Sequence, residues 1–230
     1  MNVKRSVHNR HRYGVGKTIV AGAIIKAMRA KGTSVCGMKP IETGCRPVGD
    51  TLCPEDGIFL KKISGADEDL ENITPCCFET PAAPYVASGM EEKEVDIDLI
   101  INKFEQLSKK YDRIVVEGIG GILVPLKKDY FVTDLIKRLG LPAIIVSRPS
   151  LGTINHTLLT VRYAMDKGID VKGIIINCSQ PDDGTVAAQT NEGVIRQLSP
   201  APVIGTFPYL KKVDEKILGE AALTHLSLFH

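Results

Sequence analysis

The chain has 230 residues, 43% hydrophobic and 24% charged, enough for one domain (residues 1–230) with a core that needs no staples. Its 29 Lys and Arg nearly balance 27 Asp and Glu, for a net charge of +2, which argues against a dedicated nucleic-acid partner. No run approaches the ~18 apolar residues that span a bilayer, and the charged N-terminus lacks the apolar stretch of a signal peptide, so neither a membrane partner nor export is expected and the protein is placed in the cytoplasm.

Taken in chain order, the first informative segment is Gly14-Val15-Gly16-Lys17-Thr18. It opens a helix expected over Thr18–Ala30, whose Val20, Ile24, Ile25 and Met28 share one face. Glycines that admit backbone N–H groups to phosphates, a lysine for the β/γ-phosphates and a threonine for Mg²⁺ form the end of a P-loop. The residues before it, SVHNRHRY at 6–13, supply neither the upstream strand nor the early glycine of such a loop.

A strand is expected over Ser34–Met38, and Lys39-Pro40-Ile41-Glu42-Thr43-Gly44 follows it directly. Pro40 favours an extended Lys39, whose ammonium either reaches the strand-end crevice, where it could stabilise charge on a transferring group, or is simply solvated. Residues Gly44–Pro81, with four prolines and four cysteines, read as a long excursion over the strand ends with a short helix around Gly57–Ile63. Asp56, at the start of that helix, is either its cap or a second carboxylate for a metal.

After a helix over Asp98–Lys109, the strand Arg113–Glu117 ends in an acid followed by Gly118-Ile119-Gly120-Gly121. That pattern suits a carboxylate aimed at Mg²⁺ with a backbone turn close to substrate. The strand Ala143–Ser147 leads through SLGTINHTLLT, residues 150–160, into a helix over Thr153–Lys167 whose N-terminus is a natural carboxylate-binding geometry. His156 within it reads as a packed helix residue rather than a base. The strand Lys172–Asn177 closes on an amide that could read an adenine edge. A helix over Ala188–Leu198 and a strand over Pro202–Gly205 follow. Phe207–Leu210 then forms either a wall of a purine slot or ordinary core.

Near-continuous Val/Ile strands alternating with amphipathic helices imply an α/β fold with a mostly parallel central sheet flanked by helices on both faces. Ligands in such sheets bind at the carboxyl ends of the strands, where these motifs lie. The six cysteines show no CxxC pair or zinc spacing and read as reduced thiols.

The set GVGKT (14–18), GMKPIETG (37–44), PED (54–56), FETPAAPYVAS (78–88), VVEGIGGILVPL (115–126), SLGTINHTLLT (150–160), IIIN (174–177) and GTFPYL (205–210) resembles the dethiobiotin synthetase family, in order and spacing over about residues 14–215. The resemblance implies a homodimeric single-domain P-loop NTPase-like enzyme using ATP, Mg²⁺, CO₂ and 7,8-diaminononanoate in biotin synthesis. In that family one substrate amine captures CO₂ as a carbamate, which takes the γ-phosphoryl group of ATP before the second amine closes the ureido ring. It further implies that Lys17 and Lys39 are catalytic and that Thr18, Asp56 and Glu117 hold the metal. Gly14, Val15, Gly16, Lys17, Thr18, Ile19, Asp56, Glu117, Gly118, Ile119, Gly120, Asn177, Cys178, Pro208, Tyr209, Leu210 and Glu215 would line the nucleotide. Thr43, Gly152, Thr153, Ile154 and Asn155 would meet the substrate, the last four across the dimer interface.

The family's loop reads like FITGTDTGVGKT, where this chain has VHNRHRYGVGKT. Back-translated as CAT AAC CGG CAC CGA TAC and read one base later, His8–Tyr13 encodes Ile-Thr-Gly-Thr-Asp-Thr, which points to a pair of compensating frameshifts. Taken as written, the stretch predicts weak ATP binding. Three other readings stay open at this point: a switch-type ATPase of the partitioning or metal-insertion kind, with Arg12 where its second lysine would stand; a cobyrinate-type amidoligase; and an inactive paralogue.

Overall fold

The computed structural model describes residues 14–181 and 184–229; the expectations for Val7–Tyr13 lie outside these residues. In chain order the elements are α1 (Lys17–Ala30), β1 (Val35–Met38), β2 (Ile41–Thr43), β3 (Arg46–Val48), β4 (Thr51–Cys53), α2 (Glu55–Ser64), α3 (Leu70–Ile73), β5 (Cys76–Phe78), α4 (Pro84–Met90), α5 (Ile97–Lys110), β6 (Arg113–Val116), β7 (Pro125–Lys127) and β8 (Tyr130–Phe131). They continue with α6 (Val132–Leu139), β9 (Ala143–Ser147), α7 (Thr153–Asp166), β10 (Val171–Asn177), α8 (Val186–Leu198), β11 (Val203–Phe207), α9 (Glu215–His225) and a 3₁₀ turn at Ser227–Phe229.

Every strand and helix read from periodicity is present, with ends shifted by no more than two residues. The additions are helices α3, α4, α6 and the 11-residue α9, and several short strands. The β3–β4 hairpin, the β7–β8 hairpin and the β2–β5 pair have strands of two or three residues, too few to display a period. Helix α6 does carry a signal, Val132, Leu135, Ile136 and Leu139 at helical spacing with Gly140 closing it at φ 65°.

Among the described residues the parallel strands hydrogen-bond in three pieces, β1–β6, β11–β10–β9 and the short β2–β5 pair. Among the described residues, β6 and β9 have no partner on their other edges, and both border a cavity of about 450 Å³. The consequence shows in burial. β1 is buried throughout and β10 over its last five residues, as strands covered on both faces should be, whereas β6 and most of β9 are only half-buried or more open.

Helix α1 lies at the centre of the packing. Its Val20, Ala23, Ile24, Ile25 and Ala27 share one core with Val35 of β1, Leu60 and Ile63 of α2, Ile175 of β10, Phe207 of β11 and Leu218 and Ala222 of α9. A second core gathers α3, α5 and α6 around Cys36, Met38, Phe78, Ile100 and Leu107. Gly22 is required in α1 because a Cβ there would stand 2.7 Å from the Phe59 ring. None of the six cysteines, all of them among the described residues, is in a disulfide.

Candidate functional site

Four elements converge at the carboxyl ends of β1 and β6. Gly16 caps α1 in the left-handed region at φ 81°, a conformation that suits glycine, and the first turn of α1 then presents Lys17 and Thr18. The Thr18 hydroxyl donates to Glu117 Oε1 at 2.9 Å and lies 3.1 Å from Asp56 Oδ1. Glu117 follows β6 and its N–H is anchored on Met38 O at 2.8 Å. Asp56 sits in the first turn of α2.

Lys39 follows β1 and is 4% exposed. Its Nζ lies 2.7 Å from Glu117 Oε1 and 3.0 Å from Asp56 Oδ2. Burial pulls the Lys39 ammonium down, but the charges of and hydrogen bonds to Glu117 and Asp56 outweigh it and hold it above the usual lysine value. The Lys17 ammonium moves the other way, lowered by burial and by repulsion from Lys39 despite attraction to Glu117 and Asp56. The alternative of a solvated Lys39 is therefore excluded.

The cluster fits a divalent cation. A hydroxyl and two carboxylates from three elements supply hard oxygen donors, and Glu117 Oε2 is buried with no hydrogen-bond partner among the described residues. A buried carboxylate oxygen left unsatisfied is costly, and a cation beside Thr18 would satisfy it.

Two cavities flank this cluster. The larger, about 450 Å³, is bordered by Gly14, Val15, Lys17, Glu117 and the Gly118–Gly121 turn at one end. At the other it meets Ser147, Arg148, Thr153 and His156, where β9 passes into α7. The smaller, about 210 Å³, is lined by Gly14, Gly16, Ile19, Asn177, Cys178, Pro208, Tyr209, Leu210 and Val213, a slot open toward the loop. Its back wall is held by Cys178 N–H donating to Phe207 O at 2.9 Å. Phe207 is at once buried core and part of the lining, and the wall continues through the three residues after it.

The chain matches the family model described as an AAA domain over residues 12–216. It is 47% identical over 222 residues to the ATP-dependent dethiobiotin synthetase BioD of Thermodesulfovibrio yellowstonii, covering 94% of this chain and 92% of that protein. The enzyme of the same name from Bacillus velezensis is 39% identical, over 94% and 91% of the two chains. The chain belongs to the dethiobiotin synthetase family. Its fold is also that of the MinD cell division protein of Aquifex aeolicus, at TM-score 0.53 and 18% identity over 92% of this chain and 85% of that one. This family fold is the P-loop NTPase-like α/β architecture read from the sequence.

The remaining residues that the family resemblance singled out are placed unevenly. Asn177 is 2% exposed and donates its amide to Val15 O at 2.8 Å, so its nitrogen braces the loop. Glu215 opens α9 and pairs with Lys26 at 3.0 Å, outside the lining of the smaller cavity. Thr43 is half-buried at the end of β2 and lines neither cavity. Gly152 caps α7 at φ 87°. Thr153 is buried, with Ser147 Oγ within 2.6 Å of both its hydroxyl and that of Thr157. Ile154 is half-buried, and Asn155 is exposed beside Leu151, which is 88% exposed. His156 is exposed and borders the larger cavity, correcting its reading as a packed residue; its face of α7 has no covering element among the described residues.

Sequence reasoning missed two features. The Ser147–Thr153–Thr157 hydroxyl cluster had a readable cue in the polar residue closing β9. Glu42, 8% exposed, accepts hydrogen bonds from Asp56 N–H and Gly57 N–H at 3.0 Å each.

Proposed function

We propose that this chain catalyses the ATP- and Mg²⁺-dependent carboxylation and ring closure of 7,8-diaminononanoate with CO₂ to dethiobiotin, in the cytoplasm, as a homodimer of one catalytic domain. The observation that carries the reading is the buried Lys39 ammonium held on Glu117 and Asp56 beside Thr18, in a cluster whose Glu117 borders the larger cavity together with Lys17. Family membership supports the reaction and its nucleotide.

The residues divide the labour of phosphoryl transfer, which needs positioning and charge neutralisation more than covalent chemistry. Gly14–Gly16 bring backbone N–H groups to the phosphates, and Lys17 neutralises their charge from the helix N-terminus. Thr18, Asp56 and Glu117 would hold Mg²⁺, which when bound supplies charge neutralisation and orientation of the phosphates. Lys39 is held on that cluster beside Gly118, and in this reading its ammonium stabilises negative charge on the carbamate as the phosphoryl group arrives. Gly118–Gly120 keep the neighbouring wall low enough for a substrate to lie close. The base occupies the smaller cavity between Asn177–Cys178 and Pro208–Leu210, with Ile19 beneath it and Glu215 at its margin.

The N-terminus of α7, with Gly152–Asn155 at its tip, turns the positive end of the helix dipole toward the substrate carboxylate, and the exposure of Leu151 beside it supports a second copy packing there. Thr43 approaches the substrate from β2. The test is ADP release that depends on both diaminononanoate and bicarbonate, with dethiobiotin detected by mass. ADP release without either substrate would overturn the reading in favour of a switch ATPase.

A further inference from the structure

Helix α2 delivers Asp56 to the cluster, yet its own N-terminus has no local cap. The N-cap position is Pro54, which makes no side-chain cap hydrogen bond, and a helix start without one leaves backbone donors unpaired. The pairing comes from elsewhere in the chain. Glu42 Oε1 accepts from Asp56 N–H and Oε2 from Gly57 N–H, both at 3.0 Å.

Glu42 is itself fixed. It lies in β2, in register with Cys77 of β5, and the strand is anchored on either side of it by Cys76 N–H to Pro40 O and Cys45 N–H to Phe78 O. The helix turn is confined from another direction too, since a Cβ at Gly57 would stand 2.0 Å from Thr74 Oγ1. One short segment, Lys39–Glu42, therefore grips Asp56 twice: Lys39 holds its carboxylate and Glu42 holds its backbone.

We propose that Glu42 is a positioning residue that sets the carboxylate of Asp56 for the metal, by capping the turn of α2 that carries it. The inference rests on Asp56 being a metal ligand, as read above. Burying a carboxylate on two backbone donors is an expensive way to end a helix, and it is explained when the residue between those donors must be held still. Burial pushes the Glu42 carboxyl up to about 7 despite the hydrogen bonds it accepts.

The test is Mn²⁺ binding by electron paramagnetic resonance in the presence of ADP, together with the Mg²⁺ midpoint for turnover at saturating ATP. Both are measured in wild type, Glu42→Ala, Glu42→Gln and Asp56→Asn. Glu42→Ala is expected to weaken Mn²⁺ about tenfold, in the range for residues that orient metal ligands. Glu42→Gln, which retains one acceptor oxygen, is expected to fall between Glu42→Ala and wild type and serves if the alanine variant does not fold. The pair Glu42→Ala/Asp56→Asn is expected to be no weaker than Asp56→Asn alone, because Glu42 acts through Asp56. Unchanged Mn²⁺ affinity in both Glu42 variants, with Asp56→Asn weakened, overturns the positioning role alone. Unchanged affinity in Asp56→Asn overturns the metal reading of Asp56 and the proposal with it.

Discussion

In the proposed reaction Lys39 is the residue on which the chemistry turns, because it is a buried cation held between two carboxylates. Replacing it by Met keeps the stem and removes the charge. We expect kcat for dethiobiotin to fall about 10²–10³-fold, the usual cost of losing one preorganised stabilising group, with the ADP dissociation constant measured by titration changing far less. Gly16 gives a second expectation. An alanine there would carry a Cβ 2.1 Å from Asn177 Nδ2 at φ 81°, so the loop and the amide that braces it must both shift. Gly16→Ala should cost about 1–3 kcal/mol in urea unfolding and weaken nucleotide binding sharply. At this scale the sequence spoke clearly for Lys17, Thr18 and Glu117, each of which follows a strand or opens a helix, whereas Lys39 after its strand read equally as a solvated lysine until the family resemblance singled it out. It was silent on Glu42, because a side chain that caps a helix 14 positions away leaves no local pattern.

Elements show what local pattern can and cannot carry. Helix α5 was legible from Leu99, Ile100, Phe104 and Leu107, but the way it is tied down was not. Lys110 at its end pairs with Glu68 at 2.9 Å, and Asn72 and Tyr111 donate to the same carboxylate at 3.0 and 3.4 Å. Burial alone would raise the Glu68 carboxyl, but these donors hold it below its ordinary value. A depressed folded value means that Glu68 adds stability above the unfolded carboxylate pKa and loses it as pH falls through the folded one. Lys110→Ala should therefore cost about 1 kcal/mol at pH 7, discounted because the lysine is half exposed, and nearly nothing once Glu68 is protonated in both states. Urea midpoints at pH 7 and at pH 3 compare the two. The short strands β2, β5, β7 and β8 could not be read at all, since two or three residues hold neither a period nor a propensity, and only their pairing partners define them.

For the whole molecule, alternation of apolar strands and helices was enough to give the α/β class, because fully covered parallel strands need long apolar runs. It could not show how the long parallel strands divide between the β1–β6 pair and the β11–β10–β9 group, since a run of Val and Ile looks the same whether its edge is paired or not. Assembly is the other property of this scale. Leu151 projects into solvent at the tip of α7, so Leu151→Glu should shift light-scattering mass from dimer to monomer and abolish turnover, while ADP binding at the distant loop persists. A dimer that survives the substitution would place the subunit contact elsewhere.

The β3–β4 hairpin is the most outlying piece of the chain near the site. Its β3 residues are all exposed, its tip turns through Gly49 at φ 61°, and its base is tied to α2 by the Arg46–Glu55 ion pair. A hairpin that carries no core and leads within a few residues to Asp56 makes a natural handle for a reporter. A fluorophore or a small inserted tag at the Gly49–Asp50 tip could be added without disturbing the fold, and its signal would register each filling of the metal site a short helix turn away.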